Sequence, residues 1–544
     1  MIGLVAPAAM IASPGSPGSG GLPVGPSRSP KLVIVSWDGA ADWVVDRLLD
    51  EGHLPNLAKF RDGGLRAEYV VPAFPSKTAV GHVAAYTGAD SAVNGVTGNS
   101  VPLMPRREHT IFETRSGFAG ESHFAEPFWV TAAVAGKNVL ALSAAGSYPP
   151  GPDQARIAAA RTGTKIRPGR FVEFSGFETP VIRPNELAPT MLPATATFEG
   201  QSFRFEPVRR DGRITAVRIS SGDQSEVLAP APPTALGNPF DAKAQWSSRP
   251  FEVRKGGNLG LIYFRLWRLD PVTGAMDLSQ RGANAILGSE SKADTEAYQR
   301  AYGGFHDDPF FSYGYKDGKL GVPIYRGGDG VAEAKLVEIV RFDCELLKRS
   351  YEAGLRTYPS DLVFHYTPMS DSAGHLWMGL LDPASPNHDA AIAERLWPYY
   401  RAVYQAQDEW LGWMMRATPR ANFALLSDHG MAGIGKYVNL NRILEQAGLL
   451  RYSGNGATID GAQTQALCPP WFDFGVAVHT TDWKGGIVPP ERREAVKARV
   501  RKALLDARDP ENGEPMITAV LDPERVTHLG MGGPTGADLY VDFA

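Results

Sequence analysis

From Lys31 the chain alternates between two apolar patterns. Lys31 to Trp37 is a continuous apolar run that ends in Asp38-Gly39, and it suits a parallel strand buried on both faces. Helical spacing follows over 42–50 and 54–62, the second closed by Gly63-Gly64. Residues 65–71 read as a strand, and 78–87 as a helix closed by Gly88. A helix over 128–135, stopped by Gly136, leads into a strand over 138–143. Such alternation predicts a parallel sheet covered on both faces.

Between about 148 and 330 the pattern changes. Pro and Gly are frequent, and short alternating runs over 202–208, 214–220, 251–254 and 259–266 predict a β-rich insertion or cap. Arg161, Lys165, Arg167 and Arg170 make it locally basic, which reads as a solvated surface. The helix–strand alternation then resumes. A helix over 332–353 carries Leu336, Ile339, Val340, Cys344 and Leu347 on one face. A strand over 361–366 runs into Ser370–His375. After a helix over 389–417, a strand over 422–426 runs into Ser427–Met431. A charged helix over 491–507 and a strand over 537–543 complete the series.

The expected fold class is therefore α/β, with a mostly parallel central sheet, helices on both faces and a β-rich insertion. The expected organisation is a signal-like segment and linker over 1–30 and a first core half over 31–147. The insertion covers 148–330 and the second core half 331–544, all built on one sheet whose last strand is cut short.

Composition narrows the picture. The 544 residues are 43% hydrophobic and 21% charged, ordinary for a globular chain able to bury a large core. A net charge of −4 without basic runs argues against nucleic acid or an anionic membrane as a bulk partner. A small phosphorylated substrate remains open. Cys344 and Cys468 are no disulfide framework, and Cys344 reads as a small buried hydrophobe. Met1 to Ala12 is apolar, and Ser13 to Ser29 is rich in Pro, Gly and Ser. This resembles the end of a secretory signal and a spacer, so a periplasmic or secreted location is expected. No later apolar run is long enough to span a membrane.

The chemistry lies at strand ends. Asp38, Asp371 and Asp428 each follow a strand, and in an open parallel sheet the carboxyl ends of the strands meet at the ligand crevice. Carboxylates gathered there repel one another unless cations hold them. Asp371 and His375 are one helical turn apart, and His429 adjoins Asp428. Mixed Asp/His ligation suits zinc, and manganese less strongly. Each residue also has a plainer reading, as a helix cap, a turn acceptor or a core histidine.

Phe74-Pro75-Ser76-Lys77-Thr78-Ala79-Val80-Gly81-His82 starts the helix over 78–87. Locally, Ser76 or Thr78 is a helix cap. With a cation and a helix N-terminus, the Thr78 hydroxyl becomes a nucleophile. His82 reads as a packing histidine. Asn99, in Gly95–Asn99, is either a turn residue or a donor to a phosphoryl oxygen.

The segments Leu32–Gly39, Phe74–His82, Gly95–Asn99, Glu126–Trp129, Asp371–His375 and Ser427–Met431 occur in this order. Together they resemble the type I phosphodiesterases/nucleotide pyrophosphatases of the alkaline phosphatase superfamily. The resemblance covers about 31–145 and 331–450. It implies two zinc ions, one held by Asp38, Asp428 and His429 and touching Thr78. The other is held by Asp371, His375 and one further histidine. It also implies in-line attack by Thr78, a phospho-threonine intermediate, and Asn99 at a non-bridging oxygen. The family's Gly-x-His-Gly segment near the C-terminus is not found here, and neither His479 nor His528 has its context. The expectation is that the sequence stops before that ligand. Phosphate monoester hydrolysis is the nearest alternative, and a metal-binding relative without turnover is another.

Overall fold

Three of the apolar runs become adjacent parallel strands. Leu32–Trp37 pairs with Leu362–Thr367 on one side and with Asn422–Leu426 on the other. These facts come from a computed structural model that describes residues 29–160, 169–177, 187–304, 314–454 and 456–544. Beyond Leu362–Thr367 the sheet continues through Val139–Leu142, Phe171–Ser175 and the short edge strand Leu287–Gly288. Only the last of these six strands runs antiparallel to its neighbour. Side chains such as Val33, Val35, Leu140 and Val363 have no water contact, which is why the strands are apolar runs rather than alternating ones.

The chain forms two compact units. One comprises Met1–Val70, Ala132–Ala144 and Lys165–Ile434, the other Val71–Thr131, Ala145–Thr164 and Gly435–Ala544. In the first, the helices Val331–Thr357 and Ala390–Ala417 pack on the sheet, with Trp37 meeting Tyr404 edge-on at 6.5 Å. The helix Pro55–Asp62 is fastened to Ala390–Ala417 by Asp408, whose carboxylate accepts from the Asn56 and Leu57 amides at 3.1 and 2.6 Å.

Antiparallel strands within 148–330 add two further sheets to this unit. Ala194–Phe198, Gln201–Arg210, Arg213–Ser221 and Gln224–Leu228 form one, and Phe251–Lys255, Asn258–Leu269 and Met276–Ala283 the other. Asn258–Leu269 is buried on both faces because its side chains alternate. Ile262, Phe264 and Leu266 join Phe203, Phe205 and Ile219 in one core, and Leu261 and Tyr263 join the core around the long helices.

The second unit holds a four-stranded antiparallel sheet in the order Ala466–Leu467, Gly475–Val478, Leu539–Phe543, Ile517–Leu521. Its core includes Trp471, Val476, Val500, Leu504 and Leu539. It also holds the helix Thr78–Thr87, whose Ala79, Val80 and Val83 pack with Val96 and Val101.

Two expectations fail. The last strand does not extend the central sheet: Leu539–Phe543 is a strand, but its partners lie in the separate antiparallel sheet. Residues 65–71 are not a strand. Leu65, Tyr69, Val70 and Val71 are exposed and no ladder pairs with them, so their β-favouring side chains have no surface to fit. Residues 1–28, and Arg161, Lys165 and Arg167, lie outside the described residues. Among the described residues, no helix is long and apolar enough to cross a membrane.

Candidate functional site

The parallel register carries Asp38 and Asp428 off the ends of neighbouring strands. Leu362–Thr367 leads through Pro368 into the helix Met369–Leu381, which bears Asp371 and His375. Asp38, Asp428 and His429 are buried. His429 Nε2 stands 3.3 Å from Asp38 Oδ1, 3.3 Å from Asp428 Oδ2 and 4.0 Å from Asp371 Oδ1. His375 Nε2 lies 3.4 Å from Asp371 Oδ1, as the spacing requires, and its ring is exposed.

The local backbone makes this crowding possible. Gly39 adopts φ +59°, and a Cβ there would lie 2.8 Å from Asp371 Oδ1 and 2.9 Å from Asp371 Cα. Only glycine permits both the turn and the close approach. The Gly39 amide donates to Asp428 Oδ1 at 3.2 Å, and the Ala40 amide donates to Ser427 Oγ at 3.0 Å. Ser427 Oγ in turn donates to the His429 carbonyl at 2.6 Å. Beyond the turn, Asp382 Oδ2 accepts from the Gly433 amide at 2.9 Å.

Electrostatics show what the cluster lacks. Burial, then the Asp428 and Asp371 carboxylates, push Asp38 well above the ordinary aspartate range, against a hydrogen bond from Tyr366. Asp38 Oδ1 is buried and receives no hydrogen bond. His429 Nδ1 faces the Gly430 carbonyl at 2.8 Å, which can only accept, so Nδ1 carries a proton and Nε2 looks toward carboxylates. Three acids and one imidazole edge meet with a shortage of positive charge. Asp38, Asp371 and His429 can each offer one ligand atom, all within 4.8 Å of one another. These donors fit a divalent cation of the zinc or manganese kind.

The second unit places Thr78 and Asn99 together. Thr78 is the first helical residue after the N-cap Lys77, whose side chain makes no capping bond. The Ala79 amide instead donates to Asn99 Oδ1 at 3.1 Å, which leaves the donors of that side chain on its amide nitrogen. His82 is fully buried, and its Nδ1 donates to the Thr78 carbonyl at 2.8 Å, a packing role. Lys77 is ion-paired with Asp473. His479 is buried with Nδ1 against the Thr464 carbonyl at 3.2 Å, and His528 is exposed on a short 3-10 turn. Both cysteines are free, Cys344 being buried.

Tyr366, the steric requirement at Gly39, Ser427 as a turn acceptor and Asp473 stand outside the residues that the sequence pattern singles out. Tyr366 had a visible signal, a phenol in a strand otherwise suited to burial. Asp473 had none, because its partner lies almost four hundred residues away in the chain.

The chain matches the type I phosphodiesterase/nucleotide pyrophosphatase family over residues 32–531 and belongs to that family. The family is named for cleavage of phosphodiester and pyrophosphate bonds. Ectonucleotide pyrophosphatase/phosphodiesterase C27A7.3 of Caenorhabditis elegans is 34% identical over 101 residues, 19% of this chain and 13% of that protein. C27A7.1 of the same organism is 35% identical over 106 residues, 18% of this chain and 12% of its own length. Thus the matched part spans only about an eighth of these curated relatives. Among solved structures, phosphonoacetate hydrolase from Sinorhizobium meliloti aligns with TM-score 0.41 and 12% identity, over 95% of this chain and 81% of that one. Murine ectonucleotide pyrophosphatase/phosphodiesterase 5 aligns with TM-score 0.37 and 13% identity, over 94% and 79%.

Proposed function

We propose that this chain hydrolyses phosphodiester or nucleotide pyrophosphate bonds, with Thr78 as nucleophile. Two zinc ions, or less favourably manganese, are held by Asp38, Asp428 and His429 and by Asp371 and His375 with a further ligand. The observation that carries the reading is the convergence of three carboxylates on His429 around a buried Asp38 Oδ1 that no hydrogen bond satisfies. Bound divalent cations polarise phosphoryl oxygens and lower the pKa of a hydroxyl or water that they contact.

The residues of the chain divide the remaining work. Thr78 Oγ loses its proton and forms the new bond to phosphorus while the bond to the leaving group breaks, and the departing alkoxide or phosphate takes up a proton. Water then cleaves the threonine ester, releasing the phosphate product and restoring the hydroxyl. Asn99 donates through Nδ2 to a non-bridging oxygen, because its Oδ1 is already engaged by the Ala79 amide. Lys77, next to Thr78, is already compensated by Asp473, which favours the single negative charge of a diester over the double charge of a monoester.

Metal content per chain, with hydrolysis of a chromogenic diester and a monoester, tests the proposal. Two zincs, diester preference and loss of activity in Thr78→Ala with metal retained are expected. Full activity in Thr78→Ala overturns the nucleophile assignment. Equal use of the monoester removes the diesterase label.

A further inference from the structure

Asp38 is held by four contacts, and only one of them reaches its carboxylate from a neutral donor. Its amide donates to the Thr367 carbonyl at 3.0 Å, and its carbonyl accepts from Ser370 Oγ at 2.6 Å. Gln407 Nε2 donates to that Ser370 hydroxyl at 3.3 Å. The carboxylate itself receives Tyr366 Oη on Oδ2 at 2.5 Å, while Oδ1 faces His429 Nε2 at 3.3 Å. The parallel register explains the meeting. Tyr366 pairs with Ser36, and Asp38, two residues further on, projects to the same face of the sheet as Ser36.

We infer that Tyr366 is a positioning residue that makes Asp38 a one-oxygen ligand. By occupying Oδ2, its hydroxyl turns Oδ1 toward His429 and prevents the carboxylate from rotating or from gripping a cation with both oxygens. Such outer hydrogen bonds orient ligating carboxylates, and their loss lowers metal affinity by about 10–100-fold. Coordination by single atoms also suits the low ligand number of zinc, whereas manganese accepts the crowded oxygen sets that a two-oxygen carboxylate provides. Burial raises the cost of misplacement, since Tyr366 and Asp38 are both almost fully removed from water. The Tyr366 hydroxyl therefore sets metal preference without touching the metal.

The inference rests on the metal reading of the cluster, and one experiment separates the two. Wild type and Tyr366→Phe are stripped of metal, and their melting is compared. Zinc and manganese affinities are then measured against a chromogenic chelator, and visible spectra are recorded after cobalt(II) loading. The phenylalanine variant is expected to melt near wild type, to bind zinc about 10–100-fold more weakly with a smaller loss for manganese, and to show displaced cobalt bands. Wild type that takes up no zinc, manganese or cobalt overturns the metal reading. Wild type that loads, with unchanged affinities and cobalt bands in Tyr366→Phe, overturns the role of Tyr366 and leaves the metal reading standing. If the metal-free phenylalanine variant does not fold, 3-fluorotyrosine placed at 366 alone replaces it. That stronger donor is expected to shift zinc affinity and the cobalt bands, and no shift overturns the inference.

Discussion

His429 Nε2 and Asp38 Oδ1 face each other at 3.3 Å inside the protein, with Asp428 Oδ2 equally close to the same nitrogen. Without a cation, this arrangement places buried negative charges side by side, and burial with Asp428 and Asp371 raises the Asp38 pKa accordingly.

Asp38→Asn replaces the carboxyl whose ionisation burial, Asp428 and Asp371 oppose with a neutral amide, while keeping an acceptor for Tyr366. It is therefore predicted to raise the melting temperature of metal-free protein by a few degrees and to abolish stoichiometric zinc uptake. Differential scanning calorimetry with metal analysis reads both. A lower melting temperature in the metal-free variant contradicts the crowding argument.

Asp408 closes the start of the Pro55–Asp62 helix from another helix, accepting from two backbone amides and from Asn56 Nδ2 at 2.8 Å. Asp408→Ala leaves buried donors without an acceptor and is predicted to cost about 2–3 kcal/mol. Urea unfolding measures this, and the catalytic constants of the folded variant should stay near wild type.

A buried ion pair fastens the β-rich sheet to the long helix. Arg265 Nε donates to Glu338 Oε1 at 2.7 Å, and Glu338 Oε2 accepts from the Thr234 amide at 2.7 Å. Glu338→Ala abandons a buried guanidinium and is predicted to destabilise by about 3–5 kcal/mol. The double variant Arg265→Met/Glu338→Leu is predicted to recover much of that loss in the same unfolding assay, since it removes both charges.

His365 supplies a pH signature. Burial pushes its pKa down to about 4, with Nε2 against the Leu347 carbonyl and Nδ1 accepting from the Tyr366 amide. The unfolded chain gains a proton near pH ~6.5 while the folded one does not until about 4. The neutral histidine therefore contributes full stability above pH ~6.5, and that contribution, about 3 kcal/mol, is lost as pH falls toward 4. In metal-free protein, the stability gap between wild type and His365→Gln is predicted to shrink over that window. A gap independent of pH contradicts the assignment.

The legible part of this fold is the part written in continuous local patterns. Leu32–Trp37 and Asn422–Leu426 stand out as apolar runs, and the 78–87 and 42–50 helices form where their spacing places them. Partner choice is less visible. Leu539–Phe543 has the composition of a strand, but nothing in those five residues tells a central sheet from a separate antiparallel one. Residues 65–71 show the converse, β-favouring side chains that find no ladder. In the site, strand ends and the Asp371–His375 spacing point to the acid–histidine cluster. The Tyr366 bond to Asp38 depends on strand register across more than three hundred residues, which local pattern does not encode.

The proposed reaction passes through a covalent intermediate on Thr78. Acid quenching during turnover of a slow phosphodiester, followed by proteolysis and mass spectrometry, tests it most directly. The expected result is an ester-substituted phosphoryl group on the peptide carrying Thr78, present only during turnover, and neither adduct nor turnover in Thr78→Ala. An adduct on another residue, or a Thr78→Ala enzyme that turns over at the wild-type rate, contradicts it.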